Sequence, residues 1–201
     1  TLLERVPRDV LVVLDEAYFE YVDAPDHPDG LTLLEAWPNL VVTRTFSKIH
    51  GLAGLRIGYA VSAPEIADLL NRLRQPFNVN TIAQAAAVAA LADRDYVAES
   101  RRLNDQGLAY LNAACAERAL PVIPSVGNFV TVRVGALGVA ADAVYEGLLR
   151  EGVIVRPVAG YGLPEHLRVT VGLPTENERF VAALDRVLAR LGAVQLESAP
   201  T

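Results

Sequence analysis

Lysine is nearly absent from this sequence, and methionine is absent altogether. Lys48 is the only lysine among 18 basic residues, so the other 17 (18 − 1) are arginines. A primary amine can lose its proton and attack a carbonyl carbon, which a guanidinium cannot do, so this lysine is a candidate nucleophile. The count alone is equally compatible with an ordinary surface lysine. The lack of methionine and the start at Thr1 lead us to expect a piece of a longer protein.

Cysteine, clustered positive charge and long apolar runs are also scarce, and each scarcity excludes a class of protein. The single cysteine, Cys115, cannot form an internal disulfide, which favours the cytoplasm; its alanine-rich surroundings predict a small core residue. A formal net charge of −6 argues against a nucleic-acid-binding surface. The apolar stretch at 85–92 is too short to span a bilayer, and we find no leader typical of a signal peptide. No residue cluster has the spacing of a metal site.

Apolar patterns along the chain predict an α/β protein with two domains. The first part combines continuous β-branched runs, typical of strands buried on both faces, with helical periods: strands 10–14, 40–45 and 55–61, helices 31–36, 64–75 and one from Asn80 to 92. A long amphipathic helix at 93–119 follows. The second part has the order β-β-α-β-β-α: strands 121–123, 128–134, 153–156 and 167–171, helices 140–151 and 175–191. We therefore predict domains 1–100 and 101–201, with a disordered tail after Gly192.

Several polar side chains follow the first two predicted strands, where each strand ends. Asp15 ends the first strand, and Ser47 and Lys48 come just after the second. Arg56 follows Lys48 by eight residues, across a loop that contains two glycines. Taken singly, these residues could be turn residues or surface charges. Because ligands of open α/β sheets bind outside the carboxyl ends of strands, their positions together indicate a site.

These side chains have the chemistry that pyridoxal phosphate requires. The cofactor needs an amine for a Schiff base and a carboxylate against its pyridinium nitrogen. Its phosphate needs hydroxyl donors and a forked cation, and its ring oxygen can accept a hydrogen bond from a phenol. The residues that supply this set are Lys48, Asp15, Thr45, Ser47, Arg56 and Tyr18.

Four segments resemble known aminotransferase sequences. Residues 15–18, D-E-A-Y, resemble a segment of fold-type-I aminotransferases, and residues 45–59 resemble their lysine segment, T-x-S-K-x-x-G-L-A-G-L-R-x-G-Y. Residues 152–157, G-V-I-V-R-P, and 167–172, L-R-V-T-V-G, with Glu176 and Asn177 just beyond, resemble the closing segments of histidinol-phosphate aminotransferases. His50 departs from the pattern, since relatives usually carry Phe or Tyr there, and we expect it to pack in the loop.

This resemblance extends from about residue 10 to residue 191, and it implies both a fold and an activity. The expected fold is the C-terminal part of the large, mixed-sheet domain of a pyridoxal-phosphate-dependent transferase of fold type I, followed by a small α+β domain. The implied enzyme is a cytoplasmic homodimer of histidine biosynthesis that transfers an amino group between histidinol phosphate and 2-oxoglutarate or glutamate. Lys48 would hold the cofactor and move the proton, Arg168 and Arg156 would bind the substrate's anionic group, and Asn128 would contact the substrate.

Several alternatives remain open at this stage. An aromatic amino-acid aminotransferase or a threonine-phosphate decarboxylase would share every cofactor residue. A non-catalytic effector domain of a transcriptional regulator would need a basic helix-turn-helix segment, which this sequence does not show. Because relatives are considerably longer and complete the cofactor site with their N-terminal half, the chain alone is expected to be inactive.

Overall fold

The computed structural model describes residues 2–193, and these divide into two compact units after Arg101. The predicted tail beyond Gly192 lies, except for Ala193, outside the described residues. Within the described range, no helix is both long enough and apolar enough to cross a membrane.

The first unit contains a three-stranded mixed sheet. Its strands are β1 (Val12–Asp15), β2 (Leu40–Thr45) and β3 (Gly58–Ser62), and its helices are α1 (Leu2–Arg5), α2 (Pro64–Leu73), α3 (Thr81–Ala92) and the first part of α4 (Arg94–Glu117). The sheet order is β1-β2-β3, with β1 parallel and β3 antiparallel to β2. Asn80 caps α3 as predicted, because its side-chain oxygen accepts a hydrogen bond from the Ala83 amide at 2.8 Å.

The prediction that the first strand is buried on both faces is wrong for this chain. In the sheet β1 is an edge strand, and Val13 is 63% exposed. The central strand β2 holds the buried positions instead, with Val42 fully buried. A β-branched run shows that a strand is suited to burial, but the elements that cover the two faces of the sheet decide whether burial occurs.

Two other predicted elements of the first unit differ from the structure. The helix expected at 31–36 is a short 3-10 turn, Gly30–Leu33, whose N-cap Asp29 accepts a hydrogen bond from the Leu31 amide at 2.9 Å. The third strand begins only at Gly58, because a 3-10 turn occupies Ala53–Leu55 and Arg56 adopts a left-handed conformation.

The second unit has the predicted order β-β-α-β-β-α after the end of α4. Its elements are β4 (Val122–Ile123), β5 (Phe129–Arg133), α5 (Ala141–Arg150), β6 (Arg156–Pro157), β7 (His166–Thr170) and α6 (Pro174–Arg190). The antiparallel sheet has the order β4-β5-β7-β6. Two predictions need correction here: Asn128 precedes β5 rather than lying on it, and residues 153–155 are not part of β6.

One face of this sheet forms the core of the second unit with the helices. Alternate residues of β5 and β7 are buried in that core, namely Val130, Val132, Leu167 and Val169. Cys115 on α4 belongs to the same cluster at 2% exposure, as predicted. Burial raises the pKa of its thiol to about 11, so it is a neutral core residue rather than a nucleophile.

Candidate active site

The polar residues that follow β1 and β2 lie at the same end of the sheet, where both parallel strands have their carboxyl ends. Asp15 pairs directly with Thr43 in the parallel ladder, and the Glu16 amide extends that ladder by donating to the Thr43 carbonyl at 2.9 Å. The exposed Asp15 carboxylate accepts a hydrogen bond from the Ala17 amide at 3.1 Å, which orders the turn after β1. Because parallel strands end together, the segment carrying Asp15 lies beside the segment that leads from Thr45 to the lysine.

Lys48 lies in a tight loop that follows β2. Its carbonyl accepts a hydrogen bond from the Gly51 amide at 2.9 Å, and the neighbouring side chains of Phe46 and Ile49 are buried. The Lys48 side chain is half-buried, and its Nζ lies 5.2 Å from the centroid of the Tyr18 ring. The fold therefore brings together two candidates that are 30 residues apart in sequence.

The loop requires a glycine at position 51 for two separate reasons. Gly51 has a φ of +69°, which side-chain-bearing residues seldom adopt. A Cβ there would also lie 2.7 Å from the hydroxyl oxygen of Tyr96 on α4. Conformation and close packing together hold the lysine loop in its shape.

Arg56 closes the other side of the lysine loop. Its Nη1 donates to the Ala53 carbonyl at 2.8 Å and lies 3.4 Å from the Ser47 hydroxyl. The Ser47 amide in turn donates to the Thr45 hydroxyl at 3.0 Å. Arg56 itself has a φ of +54°, a conformation that costs a residue with a Cβ about 1 kcal/mol or more. The Arg56 guanidinium beside the Ser47 hydroxyl, with the Thr45 hydroxyl bound to the Ser47 amide, makes a set of donors suited to an oxyanion such as phosphate.

The reasoning from sequence missed a buried ion pair beside these residues. Glu16, which is only 6% exposed, accepts two hydrogen bonds from Arg44 on β2, at 2.9 Å from Nε and 2.7 Å from Nη2. Burial lowers the pKa of Arg44, but the hydrogen bond and charge of Glu16 and the charge of Asp29 outweigh burial and raise it. The available signal was an arginine inside the otherwise uncharged strand sequence V-V-T-R-T.

The substrate candidates lie in the second unit. Arg168 pairs directly with Thr131 of β5 and with Arg156 of β6, so these three side chains project from the same face of the sheet. The guanidinium carbon of Arg168 lies 5.0 Å from the centroid of the Phe129 ring, whereas Nη2 of Arg156 donates to the Tyr161 hydroxyl at 3.2 Å. Two arginines at directly paired positions make this face suitable for binding an anion.

Asn128 and His50 have structural contacts. The Asn128 carbonyl accepts a hydrogen bond from the Val171 amide at 2.9 Å, which extends the β5–β7 ladder. The His50 ring lies 5.1 Å from that of Phe46, consistent with the expected packing role. In the part of the chain that the structure describes, no three His, Cys, Asp or Glu residues are placed to hold a metal ion.

Comparison with known proteins gives consistent matches over nearly the whole chain. Histidinol-phosphate aminotransferase 2 of Pseudomonas fluorescens is 61% identical over 188 residues, which cover 94% of this chain and 50% of that protein. Histidinol-phosphate aminotransferase 2 of Pseudomonas aeruginosa is 60% identical, covering 93% of this chain and 50% of that protein. The chain thus spans about half the length of the curated relatives it matches.

A solved structure confirms the predicted fold class. The crystal structure of histidinol-phosphate aminotransferase from Sinorhizobium meliloti, in complex with pyridoxal-5′-phosphate, superposes with a TM-score of 0.85 at 35% identity. The match covers 94% of this chain and 51% of that one. The model of the family described as "Aminotransferase class I and II" matches residues 1–184. The chain therefore belongs to the class I and II aminotransferase family.

Proposed function

We propose that this chain is the lysine-bearing part of a pyridoxal-phosphate-dependent aminotransferase acting on L-histidinol phosphate and 2-oxoglutarate, a reaction of histidine biosynthesis. The observation that carries this proposal is the position of Lys48. The only lysine of the chain is half-buried beside Tyr18, at the end of the sheet where Asp15 ends its strand. The names of the relatives and the cofactor bound by the Sinorhizobium meliloti enzyme support the same function.

The side chains at the end of β1 and β2 fit the cofactor chemically. Ser47, Thr45 and Arg56 form a connected group of hydroxyls and a guanidinium, which can bind the phosphate. The Asp15 carboxylate is exposed and can face a pyridinium nitrogen. The Tyr18 phenol, close to the lysine amine, can donate a hydrogen bond to the ring oxygen.

The proposed roles follow from this arrangement. When bound, pyridoxal phosphate supplies a conjugated ring that accepts the electron pair left by the broken C–H bond of the substrate. Lys48 would hold the cofactor covalently, and its free amine would move the proton between the substrate carbon and the cofactor's C4′ carbon. Asp15 keeps the ring nitrogen protonated, and Arg56 with Ser47 keeps the phosphate in place.

Arg168, assisted by Arg156, is proposed to bind the anionic group of the substrate. A forked guanidinium binds a phosphate or a carboxylate in the same way, so one site can serve histidinol phosphate in one half-reaction and glutamate in the other. Asn128 is proposed as a further substrate contact. We also propose that the enzyme works as a homodimer in the cytoplasm, as the resemblance implies.

The position of the cofactor is tested by trapping it. Borohydride reduction of the full chain, as the cell makes it, should fix the cofactor's mass on the peptide that contains Lys48. Lys48→Arg should remove the label and the visible absorbance while retaining weak cofactor binding. Arg72→Lys, an exposed substitution that adds a second lysine within residues 1–201, serves as the control and should leave the label on Lys48. A variant without Lys48 that keeps the absorbance of the wild type would contradict the assignment.

The substrate is tested by product analysis. The wild-type protein should convert histidinol phosphate and 2-oxoglutarate to glutamate and the corresponding ketone. Higher kcat/KM with aromatic amino acids, or release of carbon dioxide from threonine phosphate, would instead support one of the related fold-type-I reactions.

A further inference from the structure

We propose that Glu16 and Arg44 are a positioning pair that holds Tyr18 in place for the cofactor. This inference rests on the proposed function, because Tyr18 is useful in that position only if a cofactor ring binds beside Lys48. The pair itself does not contact the proposed reacting atoms, and its effect would pass through Tyr18.

The pair is buried and is joined by two hydrogen bonds. Both Nε and Nη2 of Arg44 donate to the same oxygen of Glu16, at 2.9 Å and 2.7 Å, and the two side chains are 10% and 4% exposed. Desolvation offsets much of the attraction in a buried ion pair, so such pairs add little net stability. A guanidinium that donates two hydrogen bonds does restrict the orientation of the carboxylate that it binds. We therefore assign the Glu16–Arg44 pair a geometric role rather than a stabilising one.

The pair joins the two chain segments that carry the proposed cofactor residues. Glu16 directly follows Asp15 and lies two residues before Tyr18, while Arg44 directly precedes Thr45 on β2. The guanidinium carbon of Arg44 also lies 3.9 Å from the centroid of the Phe19 ring, next to Tyr18. Contacts on both sides of position 18 thus fix its backbone relative to β2.

A third segment packs against the pair. The Gly30 amide donates to the other oxygen of Glu16 at 2.8 Å, and Asp29 accepts from Nη2 of Arg44 at 2.7 Å. A Cβ at position 30 would lie 2.7 Å from the Glu16 oxygen and 2.7 Å from a methyl carbon of Leu14, so a larger residue there would have to displace these side chains. With both carboxylate oxygens bound, Glu16 has no freedom to rotate without breaking hydrogen bonds.

The test uses the full chain as the cell makes it, loaded with pyridoxal phosphate. The visible absorbance of the bound cofactor is recorded as a function of pH, and the pH at which its change is half complete is called the midpoint. Tyr18→Phe removes the hydroxyl that stabilises the deprotonated form of the lysine-bound cofactor, so the midpoint should rise by roughly 0.5 to 1 pH unit. Arg44→Met should also raise the midpoint, and Arg44→Lys should raise it less than Arg44→Met does. In the Tyr18→Phe background, Arg44→Met should produce no further shift, since both changes act on one hydrogen bond.

The control is a second ion pair with two hydrogen bonds, between Arg118 and Asp185 in the second unit. Arg118→Met should lower the melting temperature without moving the midpoint. If Arg44→Met behaves like this control, the Glu16–Arg44 pair is only structural and the inference is wrong. If Arg44→Met shifted the midpoint as much in the Tyr18→Phe background as in the wild type, the inference would also be wrong, because the pair would then act through a group other than the Tyr18 hydroxyl.

Two further measurements keep the test decisive. If Arg44→Met does not fold, Glu16→Gln removes the charge but retains an acceptor for the Gly30 amide, and the same midpoint shift is expected. A wild-type protein without any absorbance dependent on Lys48 would refute the proposed function, and the inference with it. A normal wild-type signal with unshifted variants would refute the inference alone.

Discussion

Gly107 lies in the interior of α4, and its replacement by alanine tests how tightly the second unit packs. In an exposed helix, this change stabilises a protein by about 1 kcal/mol, because alanine loses less backbone entropy. At this buried position, however, the new Cβ would lie 2.3 Å from a methyl carbon of Val171 and 3.0 Å from Nδ2 of Asn177. Carbon atoms normally pack at 3.5 to 4.0 Å, so the neighbours must move.

The neighbours cannot move without cost. The Asn177 side chain accepts a hydrogen bond from the Gly172 amide at 2.9 Å and donates to the Gly172 carbonyl at 3.0 Å. Overpacking costs about 1 to 3 kcal/mol, and a disturbed hydrogen bond adds about 1 kcal/mol. These terms exceed the gain in helix propensity, so we expect Gly107→Ala to lower the free energy of unfolding by about 1 to 3 kcal/mol.

The assay is urea unfolding of the full chain, with the shift in midpoint converted through an unchanged m-value. Gly160→Ala is the matched control, because no atom lies within 4 Å of a Cβ there, and it should change stability by less than about 1 kcal/mol. The loss caused by Gly107→Ala should shrink when Val171→Ala removes the clashing methyl. A Gly107→Ala protein as stable as the wild type would refute this account of the packing.

Four other outcomes are expected. Arg168→Ala should lower kcat/KM for histidinol phosphate and for glutamate by roughly 30- to 1,000-fold, and a loss with only one substrate would contradict the shared anion site. Leu148→Ala, at a fully buried position, should cost about 2 to 5 kcal/mol in urea unfolding; less than about 1 kcal/mol would show that the core relaxes around it. The hydrogen bond from Arg118 lowers the pKa of Asp185 in the folded state. The difference in free energy of unfolding between the wild type and Asp185→Asn should therefore be present at pH 7 and shrink as the pH falls below about 4; a difference that does not change with pH would contradict this. Residues 1–201 expressed alone should neither bind pyridoxal phosphate tightly nor transaminate, and should bind an apolar dye at exposed side chains such as Val13; micromolar cofactor binding would contradict this.

The sequence was sufficient for the features that depend on local chemistry and on the order of residues. Lys48 stood out as a candidate because it is the only lysine and follows a strand, and the resemblance of the segment at 45–59 indicated the family that the comparison shows. The order of strands and helices followed from apolar periodicity, and the cap at Asn80 from its residue type. These features involve neighbours within a few positions along the chain, which a pattern in one sequence records directly.

Only the tertiary structure decided the features that depend on distant partners. Periodicity could not show that β1 is an edge strand, because an edge position depends on which other strands the sheet contains and in what order. The contact of Arg44 with Glu16 joins residues 28 positions apart, and their charges alone did not reveal it. Likewise, Arg156 and Arg168 share one face of the sheet only because the β6–β7 register pairs them directly. A shift by one residue would place them on opposite faces. The register depends on which face of each strand packs against the core and on the turn between the strands, which only the folded unit shows.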